Sequence, residues 1–224
     1  KMKGKKAALT TAINCANGEW LLFTDADCFP PPTWISTMAN HRENANFLVG
    51  ISPHIAQKWW HPFRELERAA IDAVAAAFIR WNVGLTCTGR NLAYKRSLFQ
   101  KMEGFQSISQ TLSGDDDLFI LQVSQSRSGK FAFVFNAFAH VPTPAPPSFW
   151  QAYRQERRRT SKFRYYPWWL FAAVLPVIAF YFGLAASFLL AFANYIPYQI
   201  PFAAFAAKML LDLIFLAPFL AKTR

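Results

Sequence analysis

Trp20-Leu21-Leu22-Phe23-Thr24-Asp25-Ala26-Asp27 is a run of strand formers that ends in two carboxylates with one small residue between them. Alternate side chains of a strand share a face, so Asp25 and Asp27 start on the same side. At a strand end they can present oxygen ligands to a hard divalent cation such as Mg²⁺ or Mn²⁺. The carboxyl ends of strands in an open α/β sheet are also where nucleotides bind. A plain turn and helix start before Pro30-Pro31-Pro32 would need the same residue types. The surrounding chain has to decide between the two readings.

Upstream, Lys1 to Lys6 is basic and Ala7 to Ala16 has helix formers, with Leu9 and Ile13 one turn apart. Asn17-Gly18 suits a left-handed helix end. Downstream, a helix is expected over about Pro32 to His41 and a buried strand over Phe47 to Ile51. Trp59 to Trp81 reads as an alanine-rich helix. Its apolar stripe is Trp60, Phe63, Leu66, Ala70, Val74 and Phe78, and its polar face is Arg64, Glu67, Arg68 and Asp72. Packing on a core is the ordinary fate of such a stripe, although the tryptophan-rich flanks also suit a membrane interface. Thr88-Gly89-Arg90-Asn91 is a turn before an extended piece, and Lys95 to Met102 a short helix.

Ser113-Gly114-Asp115-Asp116-Asp117 opens an apolar helix that runs to about Ser126. The helix dipole favours acidic residues there, but capping does not require three adjacent charges that repel one another. Phe131 to Phe135 reads as a strand, and a proline-rich linker, Pro142 to Pro147, leads into a basic helix, Phe149 to Arg164.

Composition separates the end of the chain from its beginning. Of 224 residues 53% are hydrophobic, with 23 Phe and 8 Trp, and the excess lies after Tyr166. Pro167 to Asn194 has no charged residue and exceeds the ~20 residues that an α-helix needs to cross the hydrocarbon layer. Tyr195 to Ala221 is a second apolar block, a span or a re-entrant pair, with Lys208 and Asp212 one turn apart. Trp168, Trp169 and Tyr195 stand where interfacial aromatics belong. Basic residues before the first block and at Lys222 and Arg224 put both ends in the cytoplasm and make the span count even. The net charge of +11 then belongs to a membrane surface or a phosphorylated substrate. Either is a better assignment than nucleic acid, for which no aromatic-studded RNA-binding signature is present. The three cysteines are widely spaced and form neither a disulfide framework nor a zinc site. The four histidines show no ligand spacing and are expected to be structural.

The order Gly4-Lys5, Asp25-Ala26-Asp27, Thr88-Gly89-Arg90-Asn91, Gly114-Asp115-Asp116-Asp117-Leu118, Gln155-Glu156-Arg157-Arg158-Arg159 and then apolar spans resembles the membrane-attached family 2 glycosyltransferases. That group includes cellulose, hyaluronan and glucosylceramide synthases. The resemblance implies an α/β GT-A fold, a Rossmann-like sandwich, over residues 1–145. An interfacial helix follows over 146–166 and a transmembrane region of two spans over 167–224. The implied protein is multi-pass in the cell membrane, with its catalytic domain in the cytoplasm. Asp25 and Asp27 would bind Mg²⁺ or Mn²⁺ and the diphosphate, with Lys5, Gln155 and Arg158 adding donor contacts. Asp115 or Asp116 would be the catalytic base: Leu118 three residues later selects Asp115, the match by the glycine selects Asp116, and Asp115 is favoured. The donor would be a nucleotide sugar, a UDP-sugar in the first instance, the acceptor a lipid or glycan, and the transfer inverting. Two departures stand out. The family's base-binding strand has no counterpart ahead of Lys5, so an incomplete domain is expected, or alternatively a non-catalytic, truncated scaffold. Arg159 also stands where the family's Q-x-x-R-W motif has tryptophan. The D-D-x-x-D spacing of polyprenyl transferases is missing, because Phe119 stands four residues after Asp115.

Overall fold

The computed structural model describes residues 4–111 and 113–223; Lys1–Lys3, Leu112 and Arg224 lie outside it. The chain falls into two compact units, the first comprising residues 1–164 with 222–224 and the second Tyr165–Ala221.

In the first unit the helices are α1 (Lys5–Cys15), α2 (Trp34–Ala39), α3 (His61–Arg80), α4 (Arg96–Lys101), α5 (Asp117–Gln125) and α6 (Phe149–Thr160). The strands are β1 (Trp20–Phe23), β2 (Phe47–Gly50), β3 (His54–Ile55), β4 (Leu92–Lys95), β5 (Phe131–Val134) and β6 (Thr143–Pro144). Among the described residues the main sheet has the order β1-β4-β2-β5. β4 is antiparallel to both neighbours, and β2 and β5 are parallel. β3 and β6 pair separately, also in parallel. The fold is of the expected α/β class, and its sheet is partial.

The hydrophobic pattern accounts for the layering. β2 lies between two strands and is buried along its whole length, as a continuous Phe-Leu-Val run requires. On one face Tyr94 of β4 packs against Phe23 and Phe47, and Phe119 of α5 and Phe99 of α4 close over it. On the other face Leu48, Ala93 and Val134 meet Trp34 and Met38 of α2. Helices therefore cover both faces of the sheet.

Three local expectations are corrected. α1 begins earlier than Ala7, so Lys5 and Lys6 are helical, and it does not end in a left-handed residue. Ala16 turns extended instead, and its carbonyl accepts from Arg96, a tertiary partner in place of a glycine cap. α3 also turns its faces the other way in its first turns. Arg68 and Asp72 are buried as an ion pair, whereas Phe63 is 68% and Leu66 51% exposed. The charged face is held inward because Arg64 and Arg68 border a polar cleft. Finally, α6 stops at Thr160, and a 3₁₀ turn occupies Phe163–Tyr165.

The second unit contains α7 (Trp168–Phe192) and α8 (Gln199–Thr223), two helices long and apolar enough to cross a membrane. Their mean hydropathies are 2.2 and 1.9. The second apolar block is one continuous helix rather than a re-entrant pair. Lys208 and Asp212 pair on one face of it, and the Lys208 ammonium lies 5.5 Å from the Tyr181 ring of α7.

Candidate active site

A cleft of about 320 Å³ in the first unit is lined by the ends of α1, β1, β3, α5 and α6, by one face of α3 and by the Thr88-Gly89-Arg90 turn. It brings together every site residue expected from sequence: Lys5, Asp25, Asp27, Asp115, Asp116, Gln155 and Arg158.

One pole is organised by Lys5. Its ammonium lies 2.8 Å from Asp25 Oδ1 and 3.0 Å from Asp115 Oδ2, which ties the carboxylates of two separate sequence motifs to one cation. Burial disfavours the charged amine, but the two aspartates outweigh it and raise the Lys5 pKa above its ordinary value. Lys5 reaches this point because Lys6, the next residue of α1, is buried and donates to the carbonyls of Ile108 and Thr111. That bond fixes α1 against the loop leading to the acidic triplet.

The triplet is divided by its partners. Asp116 is the N-cap of α5: Oδ1 accepts from the Asp117 N–H at 2.8 Å, and Oδ2 from the Gly89 N–H at 2.9 Å. Burial raises its pKa, but Lys162 and those two N–H groups prevail and hold the carboxyl below its ordinary value. Asp117 accepts from the Leu118 N–H and pairs with Lys162 at 2.5 Å. Burial, together with the adjacent Asp116 charge, pushes Asp117 up to about 6. The repulsion among three aspartates is thus relieved by Lys5, Lys162 and backbone donors. Asp116 is the most open of the three, with 24% of its side chain exposed against 9% for Asp115.

Asn91, read from sequence as part of the turn motif, does not line the cleft. It is fully buried, accepts from Trp34 Nε1 at 2.9 Å and donates to the carbonyls of Ile51 and Ala139. Arg90 does line it, beside Thr88 Oγ1 and His54, and burial with the nearby Arg68 charge lowers its pKa. Cys87 is buried at the cleft floor, where desolvation and the Asp116 charge push its thiol well up. It is no nucleophile there.

Sequence reasoning missed several lining residues. His54, expected to be ordinary, faces Arg90 and Glu65. Arg64 joins α3 to α6 through Glu156 at 2.8 Å. Lys162, not singled out among the cations of the basic helix, turns inward to the acidic triplet. The triplet's excess negative charge is the signal that called for such a partner. Seven Lys or Arg and seven Asp or Glu side chains line the cleft, so the protein's positive excess lies elsewhere.

Among the described residues no group of three or more His, Cys, Asp or Glu is placed to hold a metal ion. Asp25 and Asp27 offer two carboxylates at the cleft. That donor set fits Mg²⁺ or Mn²⁺, which take one or two carboxylates and complete their shell with water and substrate phosphate.

Residues 1–103 match the family model described as Glycosyl transferase family 2, and that part of the chain is a family 2 glycosyltransferase domain. The match takes in Lys5, Asp25 and Asp27 and ends before Asp115, so the acidic triplet and α6 join the site by geometry. No curated protein matches the chain.

Proposed function

We propose that this protein, whose first 103 residues are a family 2 glycosyltransferase domain, transfers a sugar from a nucleoside diphosphate donor to an acceptor hydroxyl, with inversion at the anomeric carbon. The observation that carries the proposal is the Asp25–Lys5–Asp115 bridge, which joins motifs far apart in sequence at one cleft. In this reading Asp25 and Asp27 hold Mg²⁺ or Mn²⁺, which supplies charge neutralisation for the departing diphosphate. Lys5 balances the two carboxylates before the donor enters and turns to phosphate oxygens afterwards. Gln155 and Arg158 of α6 contact the same diphosphate from across the cleft.

The general base is Asp116. Its carboxylate faces the cleft more openly than that of Asp115 and is ionised at neutral pH, and two backbone N–H groups fix its position. Asp115 is the nearer rival, although one of its oxygens is committed to Lys5. A single base opposite a departing diphosphate performs a direct displacement, which inverts configuration.

The donor is a UDP-sugar and the acceptor a lipid or glycan hydroxyl. Titrating UDP into the detergent-solubilised protein tests the donor pole. Mn²⁺ is expected to tighten binding at least tenfold, and Asp27→Ala to abolish that gain. Equal affinity with and without Mn²⁺ overturns the assignment of Asp25 and Asp27.

In the membrane, α7 and α8 both span, and the cleft faces the cytoplasm. The basic α6 ahead of α7 and Lys222 in the last turn of α8 set that orientation by the positive-inside rule. A reporter enzyme fused after Arg224 is expected to work only when it remains on the cytoplasmic side. Activity from the outer side would remove the two-span topology.

A further inference from the structure

Pairing the charges of the cleft leaves one cation over. Lys5 and Lys162 are held by the acidic motifs, Arg68 by Asp72, and Arg64 and Arg159 by Glu156. Arg158 is the proposed diphosphate contact. Arg90 remains, and among the described residues no carboxylate pairs with it. Its Nε–H donates to Thr88 Oγ1 at 3.2 Å, and Nη1 lies 3.4 Å from His54 Nε2. A guanidinium has no lone pair to offer, so Nε2 is the acceptor and the ring proton sits on Nδ1, 3.3 Å from Glu65 Oε2. Glu65 thus orients the imidazole from behind, and two uncharged acceptors orient Arg90. β3 delivers His54 to this wall through its pairing with β6, where His54 lies opposite Thr143. The backbone on either side of Arg90 is fixed as well. The Gly89 N–H is bonded to Asp116 Oδ2, and the Asn91 side chain is locked in the core.

We propose that Arg90, oriented by His54 and Thr88, is a subsite for a singly charged oxyanion on the acceptor, a carboxylate or a phosphodiester, and so selects an acidic acceptor. The inference rests on the transferase reading of the cleft. Three features support it. Arg90 adjoins Gly89, whose N–H holds the proposed base, so a group bound there sits beside the hydroxyl to be activated. The two bonds that orient the guanidinium leave three of its N–H groups, enough to grip two oxygens of one oxyanion. The neighbouring Arg68 is already matched by Asp72, so one positive charge is left to meet one negative. Burial and the Arg68 charge lower the Arg90 pKa, and a partly desolvated cation of this kind is stabilised by an incoming anion.

Calorimetric titration of the detergent-solubilised full chain tests the subsite with three probes: glucuronate, dimethyl phosphate and uncharged glucose. Each is titrated with UDP and Mn²⁺ present and again without them, so that a failure of UDP to bind removes the donor assignment and leaves this one to be judged separately. At least one anion is expected to bind roughly tenfold or more tightly than glucose, the gain of a charged hydrogen-bonded contact. Glucuronate as the tighter probe assigns the anion to an acidic sugar, and dimethyl phosphate assigns it to a phosphodiester. Arg90→Gln is expected to erase the preference and Arg90→Lys to keep part of it, both with UDP affinity unchanged. No preference over glucose in the parent overturns the proposal, and so does the same preference in Arg90→Gln. A fall in UDP affinity in Arg90→Gln as large as the fall in anion affinity also overturns it, because Arg90 would then serve the donor.

Discussion

Asp116→Asn lowers the sugar-transfer rate by roughly 10²–10⁴-fold, the contribution of a general base, while UDP binding in the presence of Mn²⁺ is retained. Asparagine keeps one acceptor oxygen and the side-chain shape but cannot take a proton. The substitution also disturbs one of the two N–H bonds that Asp116 accepts from Gly89 and Asp117. A modest stability loss of about 1 kcal/mol is expected from that; donor binding is the control that the cleft is intact. Asp115→Asn loosens Lys5 and is expected to weaken donor binding more than turnover. If Asp115→Asn is the dead variant and Asp116→Asn turns over, the base is Asp115. If both variants transfer sugar at the parent rate, the transferase reading loses its base.

The pH profile of the same site has a fixed sign. Asp116 is held below its ordinary value, with Lys162 and the Asp117 and Gly89 N–H groups prevailing over burial. Asp117→Asn removes a neighbouring negative charge and leaves Lys162 with Asp116 as its remaining carboxylate in the pair. Both changes stabilise ionised Asp116 and lower its pKa further. The acid limb of kcat/KM is therefore expected to move to lower pH in Asp117→Asn and to higher pH in Lys162→Met. A limb that stays in place in both variants shows that Asp116 does not set it.

The donor pole was legible in the sequence because its signal is local. A strand, two aspartates at i and i+2, and a lysine at a helix start each declare themselves within a few residues. The helix over Trp59 to Trp81 was legible as a helix and misread in its orientation. Periodicity identifies an apolar stripe but not which side of the helix the fold turns inward. Arg68 and Asp72 are buried because they satisfy each other one turn apart, an arrangement that the same i, i+4 spacing permits equally on a solvated face. Lys162 was missed for a related reason: within a run of six cations in the basic segment, spacing alone does not single out the one whose partner lies some 45 residues upstream at Asp117. The α1 terminus failed as a local signal because a tertiary donor, Arg96, took the place of the left-handed cap.

Asn91→Ala destabilises the α/β unit by about 3 kcal/mol, because one buried side chain makes three hydrogen bonds at the junction of four segments. Its amide oxygen accepts from Trp34 Nε1, and its amide nitrogen donates to the carbonyls of Ile51 and Ala139 at 2.8 and 2.7 Å. Truncation leaves an indole N–H and two carbonyls to find new partners, and each buried group left unmade costs about 1–3 kcal/mol. The midpoint of thermal unfolding should fall by roughly 6–12 °C, following the usual scaling for a domain of this size. Asn91→Asp does not rescue it, since a carboxylate facing two carbonyls has no proton to give unless it is neutralised. Gly50 lies against the same side chain: a Cβ there would come within 2.6 Å of the Asn91 amide oxygen. Gly50→Ala is therefore destabilising in the parent and nearly neutral beside Asn91→Ala, because the smaller residue vacates the space. That strong non-additivity in a double-mutant cycle is what one shared junction requires. Additive losses, or a melting point unchanged in Asn91→Ala, would mean that the turn before β4 is held by other contacts and that Asn91 is free for a role at the cleft.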